Sequence, residues 1–140
     1  MRELMKEGVA SSVLSTDRSI QYLFDIMEKE GPFEGIIGYS EGATVAGTLL
    51  LAEQMRAEKL GREPMFKCAI FFAGWPPLDP TTYAMVLSDE SDLMINIHTC
   101  HINTAYLFDH GKGHTLPREK GVIKELGDVI RTMIADVSEA

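Results

Sequence analysis

Hydrophobic positions along the chain switch between helical and extended spacing. From Asp17 to about Glu30, the residues Ile20, Leu23, Phe24 and Met27 recur at offsets of three, four and seven, which predicts an amphipathic helix with Asp17 as its N-cap. Gly31-Pro32 ends it. Phe33 to Gly38 carries Phe33, Ile36 and Ile37 in a span too short for a helix and reads as a strand. From about Gly42 the run ATVAGTLLLAEQMRAEKL is apolar on most faces at first and charged later, the pattern of a helix that begins under a sheet and emerges into water. Gly61 stops it and Pro64 blocks continuation. Phe66 to Ala73 is a second strand, whose unbroken apolar run predicts burial on both faces. Asp79 to Asp92 reads as a polar loop with one short helix over TTYAMVL. Leu93 to Ile102 and Ala105 to Phe108 read as extended, and Pro117 opens a terminal helix carrying Val122, Ile123, Leu126, Val129, Ile130 and Met133 on one face. This alternation predicts an α/β architecture, a mostly parallel sheet with flanking helices. Without a linker or repeat, the segments are expected to share one core and one domain spanning residues 1–140.

Charge narrows the function classes. Thirteen basic against 21 acidic residues leave a formal net charge of −8, so the surface repels phosphate backbones, and neither nucleic acid nor an anionic membrane is an expected partner. The longest apolar stretch, about Cys68 to Trp75, falls well short of the roughly 20 residues that span a bilayer. The amino-terminal MRELMKEGVASSVL carries Arg2, Glu3, Lys6 and Glu7 and no secretory apolar core, and Cys68 and Cys100 lack a CxxC spacing, so reduced thiols in the cytoplasm are expected.

Gly38-Tyr39-Ser40-Glu41-Gly42 matches G-x-S-x-G between an apolar strand and a long helix, the context in which that motif forms a nucleophile elbow. Such a turn strains Ser40 and exposes its hydroxyl, with Gly38 and Gly42 letting strand and helix approach, and the Glu41 N–H at the helix start is placed to stabilise an oxyanion. The plainer alternative is a glycine-rich turn with a capping serine. A serine alcohol needs a base. His98 and His101 lie in an extended apolar stretch that suits structural histidines, whereas His110-Gly111-Lys112-Gly113-His114 is a flexible loop after a strand. His114 is the candidate base, His110 fits a hydrogen-bonding role at the strand end, and no third ligand at zinc-like spacing points to a metal.

With these residues in place, GPFEGIIGYSEGATVAGTLLLAEQ, FKCAIFFAGWPP and AYLFDHGKGHTLPRE together resemble the fungal FSH-type serine hydrolases of the α/β-hydrolase superfamily, and within them the thioesterases and esterases encoded with polyketide synthases. The resemblance implies a partial α/β-hydrolase fold, Ser40 as nucleophile, His114 as general base, and Trp75 with Tyr39 beside the acyl group. It implies ester or thioester cleavage, a substrate carried on an acyl carrier protein in secondary metabolism, and no cofactor. Two departures from the family pattern accompany it. No strand with an HG-type oxyanion loop resembles the family's upstream segment. The loop that normally supplies the triad acid between serine and histidine has no counterpart either, since Ile102 and Ala105 are separated by Asn103-Thr104 alone, far less than a parallel crossover requires. Asp79, Asp89, Asp92 and Asp109 are poorly placed as substitutes, so no triad acid is assigned. The rival expectation is therefore a catalytically defective relative acting as a binding module.

Overall fold

The computed structural model describes residues 2–72, 75–86 and 118–139. In chain order these form helix α1 (Arg2–Glu30), strand β1 (Gly35–Tyr39), helix α2 (Glu41–Leu60), strand β2 (Cys68–Phe72) and helix α3 (Lys120–Glu139). β1 and β2 pair in parallel, with Gly35 opposite Cys68 and Tyr39 opposite Phe72, so both strands end at the same edge of the sheet. The α/β reading and the crossover through α2 are as expected.

Burial explains the layering. Ile20, Phe24 and Met27 of α1 meet Leu49 and Leu50 of α2, with Phe66 and Ala69 closing the cluster from the β2 side. Arg56 of α2 crosses this helix pair, its guanidinium 4.9 Å from the centre of the Phe24 ring and its head paired with Glu28. α3 lies against β2, where Leu126, Val129, Ile130 and Met133 line a shallow crevice with residues 69–72. Met133, only 2% exposed, anchors it.

Four expectations change. The first helix begins at Arg2, not at Asp17, because no proline interrupts the chain before Pro32; Asp17 sits mid-helix and accepts a hydrogen bond from the Tyr83 hydroxyl at 2.6 Å. β2 is incompletely covered: on the face that carries the buried Ala69, Phe71 is 38% exposed, and Cys68, Ile70 and Phe72 of the other face are half-buried. Residues 81–86 form no helix. Asp79 instead accepts the N–H groups of Thr81 and Thr82, and Leu78 bridges Met85 in antiparallel fashion, so an aspartate-centred turn competes successfully with helix formation. The last helix starts at Lys120, after Pro117, which lies outside the described residues. Outside them too lie the extended segments Leu93 to Ile102 and Ala105 to Phe108, with the join at Ile102-Asn103. Among the described residues, no helix is long and apolar enough to cross a membrane.

Candidate active site

Ser40 occupies the single residue between β1 and α2, with φ 56° and ψ −125°. A non-glycine residue in that region is strained by about 1 to 3 kcal/mol and persists only where its surroundings impose it. Three contacts do so. The Ser40 N–H donates to Phe72 O at 2.8 Å, continuing the parallel ladder one residue beyond the strand. Its carbonyl accepts from the Ala43 N–H at 3.0 Å, which starts the helix. Behind the turn, Gly38 is pressed against α2, where an added Cβ would lie 2.5 Å from Ala43 Cα and 2.7 Å from Gly42 O. Strand, turn and helix are therefore locked at a separation that only glycine at position 38 permits.

The Ser40 side chain makes no capping hydrogen bond to α2, so the turn is not explained as an ordinary serine cap. Glu41 is the first residue of the helix, and its N–H has no carbonyl one turn back to serve, which leaves it available to a developing negative charge. Gly42 departs from expectation: a Cβ there would meet nothing within 4 Å. Of the two motif glycines, Gly38 alone stands where an added Cβ would clash. Tyr39, the last residue of β1, is 41% exposed, and Trp75 is 72% exposed.

Trp75 is brought to this edge by α2. The Thr44 hydroxyl donates to Trp75 O at 3.0 Å, the Thr48 hydroxyl donates to Thr44 O at 2.7 Å, and Thr48 Oγ1 accepts the Leu78 N–H at 2.9 Å. Neither threonine belongs to a recognisable motif in the sequence. The available signal is the spacing of Thr44 and Thr48, four residues apart, which places two hydroxyls on one face of a helix. Of the carboxylates considered as a triad acid, Asp79 is committed to its own turn, and the Thr81 and Thr82 N–H groups hold its carboxyl below the usual range. His98, His101, His110, His114, Asp89, Asp92 and Asp109 lie outside the described residues. The half-buried Cys68 is a free thiol, which burial pushes up from its ordinary pKa.

A strained serine at a parallel strand's carboxyl end, opening a helix behind a tightly packed glycine, has the backbone geometry by which a nucleophile elbow is recognised in serine hydrolases of α/β architecture. Residues 4–126 match the family model described as serine hydrolase (FSH1), and the chain belongs to that family. It is similar to the esterase FUS5 of Gibberella moniliformis, 30% identical over 125 residues that cover 80% of this chain and 52% of that protein. The hydrolase phiM of Talaromyces stipitatus is 24% identical over 146 residues, with 86% and 58% covered. The esterase FPY3 of Fusarium mangiferae is 29% identical over 157 residues, with 94% and 67% covered. The chain thus spans about half the length of FUS5 and somewhat more of the others. Alignment to FPY3 over 157 positions exceeds the 140 residues of this chain, so that relative carries internal positions with no counterpart here. No solved structure matches the chain.

Proposed function

We propose that the chain hydrolyses an ester or thioester with Ser40 as nucleophile. The observation that carries this is the Ser40 backbone, held at φ 56° and ψ −125° with the hydroxyl released from capping. In the proposed reaction, Ser40 Oγ attacks the acyl carbon while its proton passes to a base, the role assigned to His114 by family resemblance. The carbonyl oxygen becomes an oxyanion beside the Glu41 N–H. The intermediate collapses, the base returns the proton to the departing alcohol or thiol, and an acyl-serine remains. Water then repeats the sequence and releases the carboxylic acid. The finer reading, release of a polyketide acyl group from a carrier protein in secondary metabolism, is supported by resemblance. Hydrolysis of p-nitrophenyl acetate and of an acyl N-acetylcysteamine thioester tests the chemistry: turnover lost in Ser40→Ala supports it, and equal turnover in both proteins contradicts it.

A second reading is favoured by the internal positions of FPY3 that this chain lacks. If they carry the triad acid and a second oxyanion donor, turnover falls by about 10³-fold or more against a full-length relative, leaving an acyl-binding module. Side-by-side rates with FPY3 on the same thioester decide between them.

A further inference from the structure

We propose that Thr44 and Thr48 are positioning residues that hold Trp75 as a fixed aromatic wall for an extended apolar acyl chain on Ser40, an inference that rests on Ser40 being the nucleophile. The two hydroxyls stand four residues apart on one face of α2, about one and two turns beyond the turn at Ser40 that opens the helix. They grip the segment after β2 at both ends, Thr44 through Trp75 O and Thr48 through the Leu78 N–H. Between these anchors stand Pro76 and Pro77, whose rings fix φ. Further along, the segment is closed by the Asp79 N–H to Ala84 O at 2.8 Å and the Val86 N–H to Pro77 O at 2.9 Å, and tied to α1 by the Tyr83 hydroxyl on Asp17. Upstream, the Phe72 carbonyl is bonded to the Ser40 N–H itself. The segment carrying Trp75 is therefore referenced to the nucleophile from both sides.

Packing alone does not account for this arrangement. A staple serving the core would deliver an apolar side chain into it, and Thr48, 1% exposed, is indeed buried; yet the indole it helps to place is 72% exposed. A rigid backbone presenting a large aromatic surface to water, one helical turn from a strained serine, suits capture of an apolar group attached to that serine. The occupant is the acyl chain, because covalent attachment to Ser40 Oγ places its first carbons at this edge of the sheet.

The chain has one tryptophan, so its intrinsic fluorescence reports Trp75 alone. The full chain is treated with p-nitrophenyl phosphonates carrying a methyl or a dodecyl group, with labelling located by mass spectrometry and emission recorded before and after. The dodecyl adduct on Ser40 is expected to move Trp75 emission to shorter wavelength, and the methyl adduct is not. The ratio of dodecyl to methyl labelling rates is expected to fall about tenfold in Trp75→Ala, the equivalent of roughly two buried methylenes. Thr44→Val and Thr48→Val should lower the same ratio, and Thr44→Ser and Thr48→Ser should restore it, an outcome that a loss of folding would not produce. Labelling of Ser40 with no emission shift, or with ratios unchanged in both valine variants, overturns the inference while leaving the nucleophile intact. Absence of labelling by either probe overturns the nucleophile reading, and the inference with it.

Discussion

The two ends of α2 handle the same physical problem in opposite ways. At its carboxyl end, Gly61 turns the chain in the left-handed region at φ 63°, its N–H returns to Glu58 O, and the Arg62 N–H returns to Ala57 O, so carbonyls that a helix end leaves unpaired are satisfied. About two turns earlier, Glu53 is 1% exposed, and its carboxylate accepts Arg62 Nη1 at 2.7 Å, Arg62 Nη2 at 3.2 Å and the Met65 N–H at 3.1 Å. Strain is absorbed by a glycine and every buried charge has its partners. At the amino end a serine takes the left-handed φ, its hydroxyl does not cap, and a first-turn donor is left available. One end is arranged for stability. The other retains strain and unspent polar groups, which is what a reacting group requires.

That contrast can be broken most severely at Gly38. Gly38→Ala would force a methyl group against the α2 backbone and is expected to destabilise by about 3 kcal/mol, while Gly42→Ala, into open space, should change stability by less than about 1 kcal/mol. Denaturant melts of both variants check this, and equal losses would show that the elbow is not locked from behind. At the opposite end, Arg62→Ala leaves the Glu53 carboxylate with the Met65 N–H alone, and a loss of about 2 kcal/mol is expected, below the value for a fully buried pair because Arg62 is 38% exposed. Ser40→Gly should act in the opposite direction. Relief of backbone strain outweighs the added freedom of the unfolded chain, so the variant is expected to be about 1 kcal/mol more stable while losing all reactivity.

The smallest effect concerns the segment that carries Trp75. Its hydrogen bond to Asp17 pushes the Tyr83 hydroxyl up to about 12 from an ordinary value of 10.0. A raised folded-state value means that the contact contributes fully below pH 10 and is lost as pH rises through about 12. The difference in melting temperature between the native chain and Tyr83→Phe should therefore hold steady up to pH 10 and close between pH 10 and 12. A difference that persists at pH 12 would place the role of Tyr83 in packing.

How much of this was legible in sequence follows the same division. The carboxyl end of α2 was readable from Gly61 and Pro64, because helix stops are local chemistry, and the elbow was readable because G-x-S-x-G carries its own steric logic. The amino-terminal extent of α1 was not, since an aspartate favourable as a cap is equally tolerated in mid-helix when its carboxylate finds a distant partner such as Tyr83. Burial of β2 was overestimated from its apolar run, because periodicity states what can be covered and not what covers it. The G-x-S-x-G pattern treats Gly42 as the equal of Gly38, yet a Cβ at position 42 meets nothing within 4 Å. Thr44 and Thr48 read as ordinary helix residues, their importance depending on a segment about 30 residues away.

If the backbone strain at Ser40 marks a chemically competent nucleophile, as proposed, the serine reacts with an electrophile that its neighbours do not. The direct measurement is reaction of the intact chain with a fluorophosphonate, the modified residue located by mass spectrometry, with Ser40→Ala as its control. A single stoichiometric adduct on Ser40, absent from the alanine variant, is the expected result. Folded protein that remains unmodified, or an adduct that persists in Ser40→Ala, would contradict it.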